Sequence, residues 1–188
     1  LSNADAARNL DLRGAEITHR LTPRGDTFGR AIDAASVKVS GAALLQGANI
    51  KGEVFLADAR IDGYLAFGGG RFINPAAWAI RAPNARVGGN LTLKIEEGGF
   101  TPHGAKTVIE GGFKLDRARI DGALSWFNLE LRGPGPDNRK GAYFSFADAQ
   151  ISGPIQARAL VTQQDSRIDA SGATCAALDD DVKAGWGA

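Results

Sequence analysis

Ala59-Arg-Ile-Asp-Gly-Tyr-Leu-Ala-Phe67 is one copy of a nine-residue phrase that governs how the rest of the chain is read. It recurs as Ala48-Asn-Ile-Lys-Gly-Glu-Val-Phe-Leu56, Ala85-Arg-Val-Gly-Gly-Asn-Leu-Thr-Leu93, Ala118-Arg-Ile-Asp-Gly-Ala-Leu-Ser-Trp126 and Ala149-Gln-Ile-Ser-Gly-Pro-Ile-Gln-Ala157. Small or apolar residues fall at every second position, 59 to 67 in the first copy quoted. That period means a strand with one buried face. Gly at the centre of such a pattern marks a bend or a close backbone approach. One copy cannot bury its apolar face alone, so the copies must stack. The residues therefore point to a pile of β-coils, each side a strand, a corner and a second strand.

The Ile/Val anchors at 50, 61, 87, 120 and 151 are separated by 11, 26, 33 and 31 residues. The shortest step reads as half a coil; the longer ones hold degenerate copies and insertions. The pattern reaches back to Leu10-Asp-Leu-Arg-Gly-Ala-Glu-Ile17 and the span Ile32 to Val39, and forward to Arg167-Ile-Asp169. About six coils at about 4.8 Å each would give a rod on the order of 30 Å long. Three segments rich in Gly and Pro read as loops: 68–76, 95–104 and 132–141. Residues 1–4 have the form of a tag remnant, 5–176 read as a single domain, and 177–188 as an exit segment from the repeat array toward a further part of the protein. The Ala-rich tail after Gly172 could begin a short helix.

Composition narrows the chemistry. Lys+Arg at 22 against Asp+Glu at 21 leaves a formal charge of +1, which gives no electrostatic case for nucleic acid. One cysteine, Cys175, excludes an intrachain disulfide and fits a reducing compartment. No stretch approaches the roughly 18 apolar residues of a membrane helix. His103, with Glu96 and Glu97 nearby, lacks the tight spacing of a metal site. In Gly99-Phe-Thr-Pro-His-Gly104, Ala105 intervenes before Lys106, so the loop cannot bring its amides and ammonium to one phosphate. No metal and no cofactor is expected. The recurrent Asp58, Asp62, Asp116, Asp121 and Asp148 read as turn and solubility residues, because a catalytic acid is needed once and a turn residue in every coil.

The candidate binding residues come from the outward positions of the phrase. Its second position reads Asn49, Arg60, Arg86, Arg119, Gln150, so Arg60, Arg86 and Arg119 fall in one column that could clamp a phosphate, a sulfated sugar or an acidic partner. Two residues on stand Lys51, Asp62, Gly88, Asp121 and Ser152. Arg and Asp then share one surface, and the more economical expectation is a self-neutralised, solvated face. Among the aromatics Phe67 and Trp126 take inward positions, and Tyr64 takes an outward one suited to a surface contact.

The same units resemble a bacterial group labelled membrane-associated oxidoreductase or pentapeptide-repeat-like, whose hallmark is a series of Leu-x-Leu-x-Gly-Ala-x-Ile-x-Gly phrases. Leu10-Asp-Leu-Arg-Gly-Ala-Glu-Ile17, the Ala-x-Ile-x-Gly copies, Arg71-Phe-Ile-Asn-Pro75 before Ala85, and the tail Ala177 through Trp186 carry the resemblance. It implies an all-β fold, a right-handed parallel β-helix (β-solenoid) with loop insertions, followed by a membrane-linked portion. No flavin, nicotinamide or redox-cysteine motif occurs to carry the oxidoreductase label. The expected function is a non-enzymatic scaffold or protein-interaction domain, cytoplasmic or on the cytoplasmic face of the membrane. Its partner would be a protein or a second copy meeting the ends or faces of the array, with the membrane reached only through other parts. The alternative is a carbohydrate-binding or carbohydrate-active domain with a groove framed by the three loops.

Overall fold

A computed structural model describes residues 5–6, 9–18, 29–95, 106–137 and 139–180. Among them there is no helix, and every strand pairing is parallel. Two sheets account for the strands. The smaller has six very short strands, in the order Asp5–Ala6, Lys38–Val39, Arg60–Ile61, Arg86–Val87, Arg119–Ile120 and Gln150–Ile151. The larger has 15 strands, nine of them on one continuous path.

That path overturns the right-handed parallel β-helix (β-solenoid) expected above. The larger sheet is one curled, all-parallel half-barrel, with the six-stranded sheet as a second parallel layer. The physical reason lies in the long strands, Arg71–Arg81, Thr107–Lys114 and Leu124–Arg132 among them. Each runs around a corner, its ladder interrupted at the bend and resumed beyond it. Leu124 and Ser125 pair with Leu91 and Thr92, while Leu129 to Arg132 pair with Thr107 to Glu110. At each bend one residue turns to positive φ: Ala76 at 59°, Gly111 at 114° and Asn128 at 53°. A bulge of this kind bends and twists a strand while pairing resumes beyond it. Hydrogen bonding thus carries on where the sequence pattern implied a separation into faces.

The segment 68–76 shows the same effect. Asn74 and Pro75 read as a loop, yet they lie inside the eleven-residue strand Arg71–Arg81. The register to Thr107–Lys114 shifts between Ile73 and Trp78 to absorb them. The Asn74 side-chain amide donates to the Trp78 carbonyl at 2.9 Å, and the Ala76 amide donates to the Pro134 carbonyl at 2.8 Å. The tail after Gly172 forms a strand, Ala177–Asp180, paired with Pro154–Thr162, in place of the short helix.

The core lies between the sheets. The six-stranded sheet turns Val39, Ile61, Val87, Ile120 and Ile151 inward. The curled sheet answers with Leu65, Leu91, Leu124, Phe67, Phe72, Phe113 and Trp126, each no more than 1% exposed. The aromatic rings form one cluster: Phe113 stacks on Phe144 at 4.7 Å between centroids, and Phe67 meets Phe72 edge-on at 5.3 Å. Each such ring stabilises the fold by about 1.5–3 kcal/mol through burial. The phrase glycines serve close approach: a Cβ on Gly63 would lie 2.8 Å from the Gly41 carbonyl, and one on Gly153 equally close to Gly122. Small residues at these corners let successive layers sit at strand spacing.

Candidate functional site

The outer face of the six-stranded sheet gathers the predicted cations. Arg60 pairs in register with Arg86, and Arg86 with Arg119. Gln150 follows Arg119, and Lys38 precedes Arg60. The five residues form one outward column, all exposed, at the roughly 4.8 Å step of neighbouring strands. Asn49 does not join it: its strand belongs to the curled sheet, between Glu16 and Arg71. Lys38 takes the place the phrase assigned to Asn49. Val37-Lys-Val-Ser-Gly41 is a copy of the phrase with Val for the leading Ala, and that substitution hid it.

Two further columns flank the cations. On one side the turn residues Ser36, Asp58, Asn84, Arg117 and Asp148 all hold φ between 53° and 57°. Asp and Asn tolerate this left-handed conformation better than most side chains, which explains why Asp58 and Asp148 recur. Asn84 Nδ2 donates to Asp58 Oδ1 at 3.1 Å, and Arg117 Nε donates to Asn84 Oδ1 at 2.9 Å, linking three layers. On the other side stand Ser40, Asp62, Gly88, Asp121 and Ser152.

The self-neutralisation expected of this face is incomplete. Arg119 Nε pairs with Asp121 Oδ1 at 3.1 Å. Among the described residues no hydrogen bond or ion pair holds the side chain of Lys38, Arg60 or Arg86. Like charges set in register across strands cost roughly 0.2–1 kcal/mol per pair. A depression on this face is lined by Arg60, Asp62, Arg86, Gly88, Arg119 and Asp121. Two neighbouring depressions reach toward Lys38 and toward Gln150, and Arg86 lines all three. Tyr64, two residues beyond Asp62, is 45% exposed at the corner.

The other outer face, on the curled sheet, treats its cations differently. Arg30 and Arg81 lie over the Phe55 ring at 3.9 and 4.4 Å, and both donate to Glu53, at 3.2 and 2.6 Å. Burial opposes the Arg30 charge, but hydrogen bonds to Asp33 and Glu53 outweigh it and raise its pKa. Lys114 sits 5.1 Å above Trp78 and pairs with Asp116 at 2.9 Å. Arg139 covers Tyr143 at 4.1 Å. The Tyr143 hydroxyl donates to Asp169 at 2.9 Å; burial first, and then this bond, raises the tyrosine pKa. Ser171 holds Asp169 below the usual carboxylate range through its hydroxyl and its amide, with Tyr143 adding to the effect. Phe55, Trp78 and Tyr143, at outward positions that the phrase did not mark, are the surfaces on which these cations lie.

The remaining candidates are quickly placed. Phe67 and Trp126 are buried in the core, and Cys175 is exposed. Among the described residues no group of His, Cys, Asp and Glu could hold a metal ion. His19, His103, Glu96 and Glu97 lie outside the described residues. No helix of the described residues is long and apolar enough to cross a membrane. No family model, curated protein or solved structure matches the chain.

Proposed function

We propose that the protein is a non-enzymatic binding scaffold whose six-stranded face docks an anionic macromolecule. The observation that carries this reading is the register of Lys38, Arg60, Arg86 and Arg119, with the first three unpartnered among the described residues. The fold holds these cations on rigid two-residue strands backed by buried Val39, Ile61, Val87 and Ile120. A partner therefore meets a row of charges whose backbone spacing is already set, and only the side-chain rotamers remain to be ordered on binding. The recurring Asp58 and Asp148 serve the left-handed turns, and Asp116 is taken by Ser145 and Lys114, which supports binding over acid–base chemistry.

Surface plasmon resonance against immobilised anionic polymers (polyglutamate, oligogalacturonate, oligomannuronate and heparin) tests the reading. The chain is expected to bind at least one of them, more weakly as salt rises. The double variant Arg60→Ala, Arg86→Ala is expected to lose binding while its thermal stability stays level or rises slightly, because like-charge repulsion is relieved. Binding of none of the polymers, or equal binding by the double variant, overturns the proposal.

A further inference from the structure

Charge is distributed unevenly along the cationic column. The layer of Arg60 carries Asp58 and Asp62 on its two sides, and the layer of Arg119 carries Arg117 and Asp121. The layer of Arg86 carries Asn84 and Gly88, so no carboxylate flanks it. Arg86 also lines each of the three depressions described above. The centre of the face is thus a lone cation between two others, with Gly88 leaving the place between Asp62 and Asp121 without a side chain.

We infer that this face recognises a linear acidic polysaccharide carrying one carboxylate per sugar, with a uronate carboxylate on Arg86 and ring hydroxyls donating to Asp62 and Asp121. The inference rests on the reading of the face as an anion-docking surface and names the ligand class. Three observations select that class. First, Lys38, Arg60, Arg86 and Arg119 form one file bordered by Asp58, Asp62, Asp121 and Asp148, with Arg117 beside Arg119 in the bordering column. A broad polyanion would meet these carboxylates and be repelled. A uronic acid has its charge at one edge of the ring and hydroxyl donors at the others, so the same carboxylates become acceptors.

Second, the step of the column is that of parallel strands, about 4.8 Å. An extended peptide repeats its same-face side chains about every 6.8 Å, and falls out of step along the column within a few layers. A pyranose unit is comparable in length to one layer, and neighbouring units of a 1,4-linked uronan are rotated about the chain, so its same-side carboxylates recur at whole multiples of about one layer and stay in step with the column. Third, Tyr64 places a half-exposed ring at the corner beside the Asp62 layer, where the flat face of a sugar can stack on it.

Isothermal titration calorimetry of the full chain tests the inference, with oligogalacturonate and oligomannuronate each set beside its methyl ester and beside polyglutamate. At least one uronate is expected to bind. Esterification and Arg86→Ala should each weaken that binding about tenfold or more, the size of a lost charge-assisted hydrogen bond. Arg86→Lys, which keeps the charge, should lose less. The double variant Asp62→Ala, Asp121→Ala should bind the uronate more weakly and polyglutamate more tightly, two shifts of opposite sign. Polyglutamate binding as tightly as either uronate overturns the sugar assignment and leaves anion docking standing. So does a methyl ester that binds like its acid, or an aspartate variant that gains affinity for both polymers. Failure of every polymer to bind overturns both readings.

Discussion

On the curled sheet Arg30 and Arg81 share Glu53 and lie over Phe55, whereas on the six-stranded sheet Arg60 and Arg86 stand in register with no described partner. Both faces are built from parallel ladders over one core. The difference is in what surrounds each cation. The curled face puts Phe55, Trp78 and Tyr143 at outward positions beside carboxylates, Trp78 on an eleven-residue strand and the other two on three-residue strands. The other face has two-residue strands ending in turns and bends, and its arginines are bordered by Ser, Asp, Asn and Gly positions and by Arg117, with no aromatic ring over them among the described residues. Cations packed on rings and shared between carboxylates serve stability; the row without described partners is the one we propose for a ligand.

The largest expected effect removes the curl itself. Gly111 holds φ 114° inside Thr107–Lys114, and a Cβ there would run into the Asn74 carbonyl oxygen. Gly111→Ala should cost about 3 kcal/mol or more from backbone strain and overpacking together, read by chemical denaturation. A variant of unchanged stability would mean that the bend is not what holds the two ladders in one sheet.

The next effect separates the two faces directly. Glu53 is 13% exposed and accepts from two arginines, so Glu53→Ala should cost about 2 kcal/mol as charge-assisted bonds are lost. Asp121 pairs with Arg119 where both are more than half exposed, and Asp121→Ala should cost less than about 1 kcal/mol. Equal losses at the two sites would erase the contrast between packed and free cations.

The smallest effect is in the acid limb of stability. Asp169, held down by Ser171 and Tyr143, and Glu130, held down chiefly by Arg132 and further by Lys106, both titrate below their ordinary range in the folded protein. A depressed folded pKa contributes stability above the unfolded pKa, and that contribution is lost as pH falls through the folded one. The melting temperature should therefore drop below about pH 4, where free carboxylates protonate. Tyr143→Phe should flatten part of that drop, since it removes one of the bonds that hold Asp169 ionised. An unaltered acid profile in that variant would detach Asp169 from the stability of the curled face.

Much of this was legible in the residues. Alternation from 59 to 67 marks strands with one buried face, and Arg60, Arg86 and Arg119 do share a column because the phrase repeats its outward position. Lys38 escaped, although Val37-Lys-Val-Ser-Gly41 repeats the phrase with one substitution. Asn49 was misplaced because its copy of the phrase pairs in the other sheet. Alternation shows which face a residue takes within its strand, and nothing in it says which strand lies alongside.

The sequence by itself therefore determined a strand-rich chain with a recurring phrase, its inward Ile, Leu and Phe, its close-packed corner glycines and its outward arginine column. Those features are local: period two and small residues at corners follow from side-chain volume and the pleat. Only the tertiary structure decided that the ladders join into a curled half-barrel and not a β-helix. It also decided that Asn74 and Pro75 sit inside a strand, and that Arg86 has no partner among the described residues while Arg81 is held by Glu53. These depend on whether hydrogen bonding continues past a positive-φ residue and on which carboxylate reaches across layers, distances set between segments 20 to 30 residues apart.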